Sequence, residues 1–161
     1  MDEDARRKRA EDLFEQAYQS QMNGDLDDAV RLYRESISAY ATAEAHTFLG
    51  WTYSQQGLLD EAIEECHRAI RIDPDFGNPY NDIGAYLMQR GEVDEAIDWF
   101  KQALGAPRYE SYCFPHLNLG RAYEWKRMWL RALGEYRLAA RERSDYRPAL
   151  EGIARIRGLL N

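Results

Sequence analysis

Two neighbouring stretches of the chain decide its fold: AEAHTFLGWTYSQQGLLDEAIEECHRAIRIDP (residues 43–74) and GNPYNDIGAYLMQRGEVDEAIDWFKQALGAP (residues 77–107). Their shared residues recur at a constant offset of 34 positions. The matched pairs are Gly50 with Gly84, Gly57 with Gly91, Ala62 with Ala96, and Ala69 with Ala103. Self-similarity at a fixed period of this size indicates an array of repeated structural units.

The same frame fits two further stretches, 23–37 and 116–140. Gly24 and Ala29 repeat the Gly57 and Ala62 positions, and Gly120 and Ala132 repeat Gly84 and Ala96. We therefore predict four units and one additional helix. The predicted bounds are approximately 10–42, 43–76, 77–112 and 113–146 for the units, with a capping helix at 147–160.

Each unit has the apolar pattern of two amphipathic helices. In the second helix of the second unit, Ala62, Cys66 and Ala69 fall at i, i+4 and i+7, which predicts one buried stripe. A Gly-containing turn at Gly24, Gly57 or Gly91 separates the two helices, and the second helix is predicted to begin at Asp25, Asp60 or Glu92. The predicted fold class is an all-α superhelix, or solenoid, of four helix pairs plus a C-terminal capping helix.

These units resemble tetratricopeptide repeats. In the second unit the resemblance rests on Leu49, Gly50, Tyr53, Ala62, Ala69 and Pro74, with Cys66 where the family has an aromatic residue. The third unit has Leu87 in place of the Tyr, and the first has Ala17 in place of the Gly. Terminal units of a stack are expected to be atypical because one of their faces meets water.

The resemblance implies that the first helix of each pair lines a concave groove that takes a peptide or helix of another protein. It also implies which positions of that helix are exposed in the groove. The predicted partner-binding residues are Phe14, Tyr18, Thr47, Trp51, Gln55, Asn78, Asn81, Met88, Phe114, Leu117, Arg121 and Trp125. We expect the aromatic residues to anchor partner side chains and the amides to bond a peptide backbone.

Some members of the family hold a chaperone's C-terminal carboxylate with a Lys, Asn and Arg clamp. The matching positions here are Phe14, Tyr18, Phe48, Asn78 and Asp82, and none of them is basic. The sequence therefore argues against that particular ligand.

Catalysis, metal binding and a cofactor are all unexpected. His67 follows Cys66 directly, and adjacent helical residues point about 100° apart, so they cannot form a nucleophile and base pair. Cys113 and His116 have no second ligand pair of the kind a zinc site needs. We expect His46 and His116, which share one position of the repeat, to pack in the core. The prediction is a non-enzymatic adaptor without a metal or cofactor.

The charge is unevenly distributed. Residues 1–120 carry 11 Lys and Arg against 23 Asp and Glu, whereas residues 121–161 carry 10 Lys and Arg against 5 Asp and Glu. The Arg-rich C-terminal end keeps open a nucleic-acid-associated role, and that end competes with the groove as the main binding surface. The basic run at 6–9 is flanked by acids, with Lys8 expected to pair with Asp12.

Two further expectations concern the cellular setting. No apolar run is long enough for a membrane span, the charged N-terminus lacks the apolar core of a secretory signal, and two cysteines do not make a disulfide framework. We therefore predict a cytoplasmic protein with reduced thiols. A small repeat chaperone for a secretion-system client is an alternative function, and self-association through an end face or through convex-side aromatic residues such as Trp99 is a further alternative.

Overall fold

The computed structural model describes residues 2–161, and this part of the chain is entirely helical apart from turns and one isolated β-bridge. The helices are α1 Glu3–Met22, α2 Leu26–Ala39, α3 Ala43–Gln55, α4 Leu59–Ile72, α5 Asn78–Gln89, α6 Val93–Gly105, α7 Cys113–Trp125, α8 Trp129–Glu142 and α9 Arg147–Leu160. Consecutive helices form antiparallel pairs, and α9 packs on α8 and α7. The predicted all-α superhelix is confirmed.

The helix α1 begins seven residues before the predicted start of the first unit. Asp2 caps it, because its Oδ1 accepts a hydrogen bond of 2.7 Å from the amide of Ala5. Glu3 and Asp4 occupy the first turn, where acidic side chains suit the helix dipole. The cap at Asp2 thus explains why α1 begins before the first repeat unit.

The turn inside each pair needs one residue in the left-handed region of φ. Gly24, Gly57 and Gly91 fill this position with φ of +84°, +79° and +79°, and Arg127 fills it in the fourth pair with φ of +58°. The second helices then begin at apolar or aromatic residues, so the prediction that Asp60 starts α4 is wrong by one residue. Asp60 lies in the first turn instead, where the dipole favours it.

Close approach within the third and fourth pairs depends on a glycine of the first helix. A Cβ added at Gly84 would stand 2.4 Å from the ring of Phe100, and one added at Gly120 would stand 2.5 Å from the ring of Tyr136. Such distances leave no room for a side chain at either position. The core is therefore built from an aromatic side chain of the second helix lying flat against the bare backbone of the first.

The helices form two layers with different neighbours. The backbones of α1, α3, α5 and α7 approach one another in series, whereas those of α2, α4, α6 and α8 stay farther apart and contact through long side chains such as His67 of α4 against Trp99 of α6. We call the first set the inner helices and the second set the outer helices. Because the inner helices lie closer together, the array curves toward them, and their shared face is the inner groove.

The loop 106–112 joins α6 to α7 and contacts the second pair of helices. The amide of Gly77 donates to the carbonyl of Arg108, and the amide of Arg108 donates to the carbonyl of Asp75, each at 3.0 Å. The Arg108 guanidinium reaches Glu44 at 2.9 Å and Asp73 at 2.7 Å, and it lies 4.1 Å from the ring centre of Phe76. This loop therefore ties the end of the third pair to the second.

Candidate protein-binding groove

Four aromatic residues of the inner helices are exposed, as the sequence predicts. Tyr18 of α1 and Trp51 of α3 are 38% and 39% exposed, and Phe114 and Trp125 of α7 are 38% and 69% exposed. Apolar rings of this size are normally buried, so their exposure on one face identifies a surface that can lose water on binding.

Aromatic residues of α1, α2 and α3 form one continuous cluster. We define the aromatic cluster as Phe14, Tyr18, Tyr33, Phe48 and Trp51. Phe48 of α3 lies at its centre, with ring centres 5.1 Å from Phe14, 5.9 Å from Tyr18 and 5.8 Å from Trp51, all edge to face. These contacts hold the rings of Tyr18 and Trp51 in fixed positions, so a partner would meet a preformed apolar surface.

Three predicted groove residues are buried rather than exposed. Thr47, Asn81 and Leu117 are 3%, 8% and 3% exposed. They share one position of the repeat, which lies where neighbouring inner helices contact each other. Thr47 donates its hydroxyl to the carbonyl of Ala43 at 2.7 Å, and Asn81 accepts from Asn118 at 3.0 Å. The prediction that these residues are exposed is wrong, because packing between inner helices covers them.

The other predicted residues lie at or near the surface of the inner helices. Gln55 is exposed and accepts a hydrogen bond of 2.6 Å from the Gln21 amide, so one of its polar atoms is already used. Asn78 and Met88 are half-buried. Arg121 is exposed and makes no ion pair with any residue in the 2–161 range.

Sequence reasoning left two structural features unassigned. The sequence identifies Phe48 only as a clamp position, and its contacts with Phe14 and Tyr18 of α1 do not follow from that position. The second feature is a pair of matched contacts: His46 Nδ1 lies 2.6 Å from Glu65, and His116 Nδ1 lies 2.7 Å from Glu135. An acidic residue stands nineteen positions after each of these two histidines, and this spacing is the sequence pattern that predicts the two contacts.

Asp82 of α5 is a half-buried carboxylate without a partner. Among residues 2–161 it receives no hydrogen bond and makes no ion pair, and desolvation raises the pKa of Asp82 to about 7. Its repeat position in α5 matches that of Phe48 in α3. Its charge in turn helps to raise the pKa values of Cys66 and Tyr109, for which burial is the larger cause.

The cysteines and histidines do not converge. Cys66 is fully buried, and burial raises the pKa of its thiol. His67 lies edge to face against Trp99, with ring centres 5.4 Å apart, and His116 faces Glu135 rather than Cys113. Within the described part of the chain no group of three or more His, Cys, Asp or Glu side chains could hold a metal ion.

Four of the ten basic side chains of residues 121–161 form internal ion pairs. Arg143 pairs with Asp145 at 3.3 Å and Arg147 with Glu151 at 3.0 Å. Arg155 bonds both oxygens of Glu124, at 2.6 and 2.8 Å, and thereby joins α9 to α7. This pairing lowers the pKa of Glu124. The positive charge that a nucleic acid would meet is thus smaller than the sequence count indicates.

Comparison with known families agrees with this architecture. One tetratricopeptide repeat model matches residues 43–76, and a second tetratricopeptide repeat model matches residues 80–105. The helix pairs and the inner groove define a helical-repeat scaffold of the protein-binding class. These two stretches of the chain are tetratricopeptide repeats, and the predicted resemblance is confirmed.

Two curated proteins illustrate the relationship in sequence. Small glutamine-rich tetratricopeptide repeat-containing protein 2 of Saccharomyces cerevisiae is 30% identical over 105 residues, which cover 64% of this chain and 30% of that protein. Photosystem I assembly protein Ycf3 of Prochlorococcus marinus is 27% identical over 110 residues, which cover 62% of this chain and 64% of that protein. The chain thus spans less than two thirds of the length of either relative.

Solved structures share the fold at low identity. The protein described in a functional characterisation of Pseudomonas aeruginosa pilF has a TM-score of 0.88 and 17% identity, covering 94% of this chain and 69% of that one. PilW, a type IV pilus biogenesis factor, has a TM-score of 0.84 and 20% identity, covering 93% and 69%. The first repeat domain of Spaghetti (RPAP3), bound to the HSP90 peptide SRMEEVD, has a TM-score of 0.68 and 19% identity, covering 74% and 93%.

Over residues 2–161, no helix combines the length and the apolar character that crossing a membrane requires.

Proposed function

We propose that this protein is a non-enzymatic adaptor that captures a peptide or helix of a partner protein in its inner groove. The observation that carries this proposal is the exposure of Trp51 and Trp125 on the inner helices α3 and α7. Neither ring is needed to fill the core, and large aromatic side chains are typical anchors of protein interfaces.

The arrangement of the groove supports a segment rather than a small molecule as the ligand. The exposed residues belong to α1, α3 and α7, so a ligand that reaches all of them must extend along several helix pairs. An extended peptide or a helix has that length. The Spaghetti (RPAP3) domain, which has this fold, is bound to a peptide.

The free thiols of Cys66 and Cys113 fit the proposed cytoplasmic setting. Both side chains are buried, and neither forms a disulfide. Reduced cysteines are typical of a reducing compartment.

The test is a double substitution, Trp51→Ala with Trp125→Ala, in the full chain. We expect partner recovery by affinity purification from the native cell to fall roughly tenfold or more, because each lost aromatic anchor weakens binding by about 1–2 kcal/mol. Circular dichroism should show unchanged helix content, since both rings are exposed.

A matched control removes exposed apolar side chains from the outer layer. Leu130 and Leu138 of α8 are both exposed, so Leu130→Ala with Leu138→Ala should leave partner recovery unchanged. A folded double tryptophan variant that still recovers the partner in full would refute the groove assignment.

A further inference from the structure

The first part of the inner groove contains a cavity with an aromatic floor. This N-terminal cavity has a volume of 590 Å³ and lies between α1, the end of α2 and the start of α3. Phe14, Tyr18 and Tyr40 contribute its aromatic surface. The volume is ample for one or two large side chains of a partner.

The rim of the N-terminal cavity is acidic. Glu11, Glu15 and Glu44 line it, together with Arg7 as the one cation. Arg7 is already paired with Glu3 at 2.6 Å and lies 4.7 Å from the ring centre of Tyr40. The positive charge of Arg7 is therefore already balanced by Glu3.

Two of the rim carboxylates have no internal partner. Glu44 pairs with Arg108, but Glu11 and Glu15 make no ion pair within residues 2–161. They stand four positions apart on α1, so they lie on the same face one turn from each other. Their combined charge falls beside the rings of Phe14 and Tyr18.

The negative charge declines farther along the inner groove. Burial raises the pKa of Asp82 on α5 to about 7, so this group carries only part of a negative charge at neutral pH, and the unpaired cation Arg121 belongs to α7, in the fourth helix pair. The N-terminal part of the groove therefore attracts cations, and the charge changes sign only toward α7.

We infer that the N-terminal cavity selects a partner segment in which Lys or Arg stands next to a bulky apolar residue. The apolar side chain lies on Phe14 and Tyr18, while the cationic group meets Glu11 and Glu15. The aliphatic stem of Lys or Arg can follow the aromatic floor while its charged end stays near the rim, and the ring faces add cation–π attraction. This inference rests on the proposed groove function and names the chemistry of its ligand.

The probes are three short fluorescent peptides with identical Leu, Tyr and Gly positions. All remaining positions are Lys in the first peptide, Gln in the second and Glu in the third. We expect the full chain to bind the Lys peptide roughly tenfold more tightly than the Glu peptide in fluorescence anisotropy. The advantage should shrink between about 50 and about 500 mM NaCl, because the carboxylates are exposed to solvent.

The decisive variant is Glu11→Gln with Glu15→Gln, which removes two charges without altering the aromatic floor. We expect its affinities for the Lys and Gln peptides to become nearly equal. Glu95→Gln with Asp98→Asn is the control, since it removes two exposed acids of the outer helix α6 and changes the net charge equally. That control should keep the preference for Lys.

The outcomes separate the two proposals. Equal affinity of the wild type for the Lys and Glu peptides, or no measurable binding of the Lys peptide at about millimolar concentration, overturns this inference. Loss of the preference in the Glu95 and Asp98 control overturns it as well, because the attraction would then come from net charge alone. If the folded Trp51→Ala, Trp125→Ala variant recovers the native partner as fully as the wild type, the groove function itself fails, whatever the peptides do.

Discussion

Asp82 shows how one residue of the groove can govern stability. Its carboxylate lies half-buried on α5 beside the thiol of Cys66 and the phenol of Tyr109, and its charge adds to the burial that raises the pKa values of both groups. Burial without a cation or hydrogen-bond donor disfavours the ionised form. The folded protein thus holds this proton to a higher pH than the unfolded chain does.

The sign of the pH dependence follows from the pKa of about 7 in the folded state and about 4 in an unfolded chain. Below about pH 4 the group is neutral in both states. Between about pH 4 and pH 7 the unfolded chain loses the proton first, so the free energy of unfolding falls as pH rises. Above about pH 7 the group is ionised in both states, so its effect on the free energy of unfolding no longer changes with pH.

We expect Asp82→Asn to raise the free energy of unfolding at pH 8 and to leave it nearly unchanged at pH 4. The gain at pH 8 should be of the order of 2 kcal/mol, since the half-buried carboxylate keeps some contact with water. Urea unfolding at both pH values measures it. Asp98→Asn, which alters an exposed acid of α6, should show no such pH-dependent gain, and an equal gain there would contradict the assignment.

At the scale of the helix pair, the turn geometry repeats but its sequence does not. Three turns place glycine in the left-handed region, and the fourth places Arg127 there with φ of +58°. A residue with a Cβ is strained in that conformation, whereas glycine is not. The repeat frame alone shows that Arg127 occupies the position of Gly24, Gly57 and Gly91.

We expect Arg127→Gly to raise the free energy of unfolding by about 1 kcal/mol, because the strain at this turn outweighs the extra freedom of glycine in the unfolded chain. Thermal or urea unfolding measures the change. Gly57→Ala is the reciprocal control and should lower stability by a similar amount. A less stable Arg127→Gly protein would show that the arginine side chain contributes something else at this turn.

The sequence predicts the helix pairs well because their determinants are local. Glycine at three of the four turns, small residues on the second helix, and proline after α4 and α6 fix the pattern without any distant contact. Thr47, Asn81 and Leu117 were misjudged because their burial depends on how closely neighbouring inner helices approach. That distance is set by side chains 34 to 37 residues away, such as Asn118 against Asn81.

The candidate site was predictable in part for the same reason. Tyr18, Trp51, Phe114 and Trp125 follow from their place on the first helix of each pair. The central role of Phe48 does not, because it depends on contacts with Phe14 and Tyr18 of another helix. The pairing of Glu44 with Arg108, which leaves Glu11 and Glu15 as the unpaired rim acids, also required the three-dimensional arrangement.

At the scale of the whole molecule, most contacts join neighbouring helices, and stability is then close to a sum over units and their interfaces. The loop 106–112 departs from this rule. Arg108 lies after the third helix pair yet contacts Glu44 and Asp73, which begin and end the second. Its hydrogen bond lowers the pKa of Asp73. This residue therefore couples parts of the array that would otherwise interact only through the pair between them.

We expect Arg108→Ala to lower the free energy of unfolding by about 1–2 kcal/mol, because the lost ion pairs and cation–π contact contribute less than about 1 kcal/mol each. The urea transition should also broaden, because the helix pairs would then unfold less cooperatively. Circular dichroism measures both effects. Arg31→Ala is the control, since Arg31 also has two ion pairs, but both lie within α2. An equally broad transition for Arg31→Ala would contradict a coupling role for Arg108.

The contacts of His46 with Glu65 and of His116 with Glu135 lie within single helix pairs, as does the contact of Tyr80 with Trp99 at the same repeat positions. A genetic crossover between units would therefore preserve each match if it fell in a linker between pairs. A crossover inside a pair would join a histidine to a tryptophan, or a tyrosine to a glutamate. Whole units are thus the pieces by which an array of this kind can be shuffled, duplicated or lengthened without losing its internal fit.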